Sequence, residues 1–183
     1  MTPVIRIDDQ VMDELKKRAV DLGLVFEPPN ATLRIVLDLD MDAKALVDKE
    51  EVFYILNTNY SNEKSDDKDM INNQKAAAYF DPWKRNIEKL KEGNKVFLYR
   101  PGAGIVAIGI ASGKLERKPY HGEEKHRDEE YCMKLDKFEK LEQPLPAAEI
   151  KKITGVNYRF RRTMFAVDKD SGDKLWGTLT TTN

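Results

Sequence analysis

Lys95-Val96-Phe97-Leu98-Tyr99-Arg100-Pro101-Gly102-Ala103-Gly104-Ile105-Val106-Ala107-Ile108-Gly109-Ile110-Ala111 is two β-prone apolar runs joined by a reversal. Val, Ile, Phe and Tyr fill both arms, and the Pro-Gly-x-Gly cluster supplies the backbone angles of a hairpin turn. Both arms are almost continuously apolar, which predicts a central hairpin covered on both faces. Gly104 and Gly109 predict a bulge, a bend, or the close approach of a ligand or another backbone.

Working outward, Glu51-Val52-Phe53-Tyr54-Ile55-Leu56-Asn57 predicts a strand. The polar run from Ser61 to Asn73, with Asp66-Asp67-Lys68-Asp69, reads as a mobile loop without calcium-loop spacing. Asp81-Pro82-Trp83 reads as a helix start with Pro at the first position, the helix burying Trp83, Ile87 and Leu90 before Gly93. After the hairpin, Ser112 to Glu130 reads as a solvated loop in which His121 and His126 lack an anchoring third metal ligand. Tyr131 to Phe138 predicts a strand, Pro144 to Gly155 a short helix, and Arg159 to Val167 a strand alternating basic and apolar residues. Asp170 to Asp173 reads as a turn before a Thr-rich tail.

The first forty residues have a different pattern. Val4 to Ile7 alternates as a strand, and Asp8 is placed to cap a helix with Val11, Met12, Leu15, Ala19 and Val20 on one face, ending near Gly23. Asn30 caps a second expected helix, from Ala31 to about Leu39. So small a unit buries too little to stand alone, which predicts a dimer. Residues 41–51 read as a charged linker and 52–183 as a second domain.

Bulk properties narrow the function. The 183 residues carry a net charge of −1, so any polyanion must meet a local patch. Residues 151–183 hold seven basic against three acidic residues, whereas residues 1–40 hold five against eight. No run has the length and apolarity of a membrane helix, no signal segment is visible, and the single cysteine, Cys132, predicts a cytoplasmic protein without internal disulfides. No phosphate loop, nucleophile elbow or His/Cys metal spacing is present, which predicts a protein without catalysis, cofactor or metal.

The run Ile5-Arg6-Ile7-Asp8-Asp9-Gln10-Val11 to Ala19, followed by Pro29-Asn30-Ala31-Thr32-Leu33-Arg34, resembles the ribbon-helix-helix family. That resemblance implies a two-subunit ribbon reading DNA through Thr2, Val4 and Arg6, with Asn30 near a phosphate, or a ribbon that only dimerises. Residues 52–167 are similar to the PUA-like superfamily, in particular its EVE-type, YTH-related branch. The likeness rests on Phe53-Tyr54-Ile55-Leu56-Asn57, Trp83-Lys84 with Ile87, Lys91 to Tyr99, Gly102 to Gly109, Pro144-Leu145 with Ile150, and Phe160 to Met164.

Together the resemblances imply an α+β chain: a small mixed β-barrel with short helices, preceded by a ribbon-helix-helix dimerisation unit. They imply a homodimer that binds DNA and holds one extruded, modified base. Asn57, Asn59, Tyr60, Tyr79, Phe80 and Trp83 would form the pocket, and Arg100, Arg159, Arg161 and Arg162 would meet the backbone. RNA binding by an adaptor, or a protein-interaction subunit without base recognition, are the alternatives. Trp83 also has an ordinary reading, as core on an apolar helix stripe.

Overall fold

The computed structural model describes residues 9–21 and 51–181. The chain divides into two units, Met1–Glu50 and Glu51–Asn183. In the first, α1 spans Asp9–Asp21, with Gln10, Val11, Asp13, Glu14, Lys16 and Lys17 exposed. The remaining expectations for this unit, including the ribbon residues Thr2, Val4, Arg6 and Asn30, lie outside the described residues.

The second unit is built on one mixed sheet. Its strands are β1 (Phe53–Asn57), β2 (Lys75–Tyr79), β3 (Lys95–Arg100), β4 (Gly104–Lys118), β5 (Glu130–Leu145) and β6 (Met164–Val167). Its α-helices are α2 (Lys64–Asn72), α3 (Ala147–Thr154) and α4 (Lys169–Thr181), and Trp83–Lys89 forms a 3-10 helix. The sheet order is β2-β5-β4-β3-β1-β6, with β1 and β3 parallel and every other pair antiparallel. β2 and β6 are both edges, so the expected barrel is an open half-barrel. Register shifts along β4 and β5 supply bulges that bend the long strands.

The hairpin expectation holds: β3 and β4 sit mid-sheet with both faces covered. Val96 and Leu98 face one core with Ala107, Met133, Met70 and Ile87. Phe97 and Tyr99 face the other with Phe53, Ile108, Ile150 and Leu175. That alternation is the period of two expected of strands. Gly104 has φ +123°, and a Cβ there would run into the Leu145 carbonyl, so this glycine permits the close backbone approach between the start of β4 and the end of β5. A Cβ on Gly109 would lie 2.8 Å from the Leu135 Cβ, where β5 crosses.

Several expectations change. The Ser61–Asn73 run is largely helix α2 rather than a mobile loop, because Glu63 caps it from Oε1 to the Ser65 N–H and Asp66, Asp67, Met70 and Ile71 face inward. The polar run after the hairpin is strand at its ends: β4 runs on to Lys118 and β5 starts at Glu130, and only residues 119–129 between them connect, through two short 3-10 turns. Asp170–Asp173 and the Thr-rich stretch as far as Thr181 belong to α4, which buries Leu175 and Leu179. The basic strand is short. Only Met164–Val167 pairs with β1, and Arg159, Arg161 and Arg162 precede it in an irregular segment. Trp83 is 56% exposed rather than buried, because the 3-10 turn directs Lys84 and Ile87 inward in its place.

Candidate functional site

A cavity of about 700 Å³ opens at the ends of β1 and β2. Its walls come from six separate stretches, one of them the β3–β4 turn at Pro101. Asn57, Asn59 and Asn62 enter from the β1–α2 connection, and Ala77 to Phe80 from β2. Trp83 comes from the 3-10 helix, Tyr120 from the β4–β5 connection, and Phe160, Arg161 and Thr163 from the segment before β6. Volume and composition match a small-molecule site, apolar and aromatic with a few polar groups.

The aromatic wall is a continuous set. Tyr79 meets Tyr120 edge-on at 5.3 Å between centroids, and Phe80 meets Tyr120 at 4.9 Å. Across the opening, Phe160 stacks flat on Tyr99 at 4.1 Å and 7°. Trp83 stands exposed at the mouth. Small side chains, Ala77 and Ala78, leave the floor low.

The amides build the site rather than face it. Asn57 Nδ2 donates to the Phe160 carbonyl at 3.1 Å, and its Oδ1 accepts the Asn59 N–H at 2.8 Å. Asn59, at φ +62°, donates from Nδ2 to Asp66 at 2.7 Å and accepts from Asn62 at 2.6 Å. Both amides therefore fasten the rim, and Asn57 also ties the Arg161 segment to β1 through its N–H to the Thr163 carbonyl.

Asp66 is the hub behind this rim. It is fully buried, with Asn59 on one oxygen and His121 Nε2 2.9 Å from the other. Burial raises its pKa, opposed by hydrogen bonds from Asn59, Tyr120 and His121. His121, read from sequence as part of a solvated loop, thus anchors the connection that carries Tyr120 into the cavity wall. Burial, followed by the nearby Asp66 charge, pushes the Tyr79 and Tyr120 phenols well above their ordinary range. The Tyr79 hydroxyl is buried with no hydrogen-bond partner among the described residues. A buried orphan hydroxyl costs about 1–3 kcal/mol.

Of the expected pocket residues, Asn57, Asn59, Tyr79, Phe80 and Trp83 line the cavity, and Tyr60 does not. Tyr60 lies beneath the Arg100 guanidinium, 5.2 Å from its ring centroid, with Lys64 at 5.6 Å. Arg100 is engaged: its Nε and Nη2 donate to Asp67 at 2.9 and 2.7 Å, so it braces α2 against β3. Arg161 lines the cavity, while Arg159 and Arg162 are exposed outside it. Sequence reading missed Tyr120, although it is the only aromatic ring besides the histidines in its polar run. Asn62, Phe160 and Thr163 were also missed as wall residues. Among the described residues no group of three or more His, Cys, Asp or Glu could hold a metal.

No family model and no curated protein sequence matches the chain. Solved structures do. A mutant of ZmASCH from Zymomonas mobilis aligns with TM-score 0.49 and 10% identity over 68% of this chain and 96% of that one. The YTH domain-containing protein mmi1, solved with RNA, gives 0.48 and 10% over 72% and 82%. Human THYN1, solved with 5-methylcytosine-containing DNA, gives 0.45 and 14% over 69% and 96%. Likenesses this weak carry no functional argument, so the reading of the site rests on its own residues.

Proposed function

We propose that residues 51–181 form a binding module that takes one unstacked base of a nucleic acid into the cavity between β1 and β2. The observation that carries this is Trp83. A tryptophan left 56% exposed forgoes much of the burial that normally holds such a side chain in a core, yet it sits at the mouth of an aromatic-walled cavity. An inserted base covers this ring and stacks within the wall formed by Tyr79, Phe80, Tyr120 and Phe160. Arg161 at the rim supplies a cation for the adjoining phosphate. A flat, π-faced ligand uses these features better than an aliphatic one, and flipping presents a base to such a wall.

The partner of this reading is DNA, with RNA as its competitor, and the base is a modified one. The chain acts by binding rather than by catalysis, as a homodimer joined through its N-terminal unit, in the cytoplasm. Stacking is worth roughly 1–3 kcal/mol per base, so Trp83→Ala weakens oligonucleotide binding by about 5- to 150-fold. Fluorescence anisotropy at one stated salt concentration measures this, using duplexes with and without one modified cytosine or adenine and an RNA competitor. Unchanged affinity in Trp83→Ala removes the pocket from the function. Equal weak binding of modified and unmodified duplexes removes the modified base.

A further inference from the structure

Between Glu149 and Asp168 every charged side chain is basic: Lys151, Lys152, Arg159, Arg161 and Arg162. The three arginines are exposed, and none forms an ion pair among the described residues. Arg85 and Arg117, also exposed, are by contrast paired, with Asp81 and with Glu88 at 3.5 Å, while Arg127 is exposed and is the lone arginine of its stretch.

The segment that bears them is nonetheless clamped. The Phe160 ring stacks on Tyr99 and touches Tyr158 and Phe165, and its carbonyl takes the Asn57 amide. A backbone bond from the Arg162 N–H to the Arg159 carbonyl, 3.4 Å, closes a turn, so the three arginines spring from four consecutive residues of a fixed backbone. Three like charges held together without a counter-charge repel one another, a cost that a polyanion relieves. Only Arg161 reaches the cavity. A mononucleotide seated there would leave Arg159 and Arg162 unused.

We infer that the 159–162 turn is a phosphate track, and that the ligand of this site is a polynucleotide with consecutive backbone phosphates rather than a free nucleoside or mononucleotide. This rests on the base-binding reading above and deepens it, by naming the form in which the base arrives. The base enters the cavity, Arg161 takes the phosphate beside it, and Arg159 and Arg162 take phosphates further along the same strand. Affinity therefore grows with strand length over the first few nucleotides and falls with salt.

The test uses the full chain and fluorescein-labelled random-sequence single strands of 3, 6 and 12 nucleotides, at 50 to 200 mM KCl. Three phosphate contacts on a single strand predict a log–log salt slope of about −2, an 18-fold loss over that range, at roughly 0.7 per contact. The double variant Arg159→Gln/Arg162→Gln is expected to flatten this to about −0.7, a loss of about 2.6-fold, with an unchanged melting temperature. An equal slope in variant and wild type overturns the track. So does displacement of the 12-mer by a glutamate 12-mer as effectively as by an unlabelled strand, which would make the turn an acidic-peptide site.

Quenching of Trp83 in the wild-type protein separates the two readings, taken as the fluorescence change that disappears in Trp83→Phe. A salt slope that flattens in the double variant without any Trp83 quenching supports the track and refutes base insertion. Quenching with an unaltered slope refutes the track and supports base insertion.

Discussion

Arg100 can be a strut or a phosphate ligand, and one substitution separates the roles. Its guanidinium donates two hydrogen bonds to Asp67, whose side chain is 2% exposed and also accepts the Thr58 hydroxyl at 2.6 Å. Arg100→Gln leaves that carboxylate buried with the hydroxyl and at most one weaker amide donor. Stranding one partner of a buried ion pair costs about 3–5 kcal/mol. The Arg100 side chain is itself 29% exposed, so water already solvates part of the pair, which places the loss at about 3 kcal/mol. For a unit of this size that lowers the melting temperature by on the order of 10 °C. Circular dichroism melts measure it, and the salt slope of oligonucleotide binding is taken in parallel. The strut reading expects a large drop in melting temperature and an unchanged slope. A melting temperature within about 3 °C of wild type, with the slope shallower by about 0.7, refutes the reasoning and returns Arg100 to the nucleic acid.

Two further outcomes follow from the geometry. Gly104→Ala drives a Cβ into the Leu145 carbonyl, whereas Gly102→Ala meets nothing and bears only the strain of φ +82°. Urea melts should therefore show a loss of about 1 kcal/mol at position 102 and several times that at 104, and similar losses refute the packing. Asp66 holds its proton more tightly folded than unfolded. Its contribution to stability is therefore lost as pH rises from the ordinary carboxylate range through the higher folded pKa. The stability of Asp66→Asn relative to wild type should accordingly improve between about pH 4 and pH 7, and a flat difference removes burial as the dominant cause.

How much was legible depended on whether one residue's pattern carried its own partner. The β3–β4 hairpin did, because apolar continuity and the Pro-Gly turn are local. So did α3, with Gly155 closing it at φ +75°. Helix α2 was illegible because its inward-facing positions include Asp66 and Asp67, whose burial is compensated by Asn59, Thr58, Arg100 and His121, residues 7 to 55 positions away. No periodicity of apolar residues can announce a buried carboxylate. Trp83 was placed with the core because its spacing to Ile87 and Leu90 fits an α-helix, but a 3-10 turn rotates that face by a different angle per residue. Asn57 and Asn59 line the cavity, yet their amides are consumed by backbone and side-chain neighbours that the sequence does not reveal. The half-barrel was read as closed because strand count alone says nothing about whether the two edges meet.

The bond from Asn57 to the Phe160 carbonyl joins residues 103 positions apart, and β1 pairs with β6 across a similar span. This makes the cavity a late product of folding. On the ribosome β1 emerges early and waits, one edge unpaired, until residues 160–167 are synthesised. Closing so long a loop is entropically costly and is repaid only when the Tyr99–Phe160 stack and the β1–β6 ladder form together. A nascent or truncated chain that stops before Phe160 can hold the hairpin and its neighbours, but it has no completed mouth and no arginine turn. Ligand competence is in this way coupled to the arrival of residues 160–167.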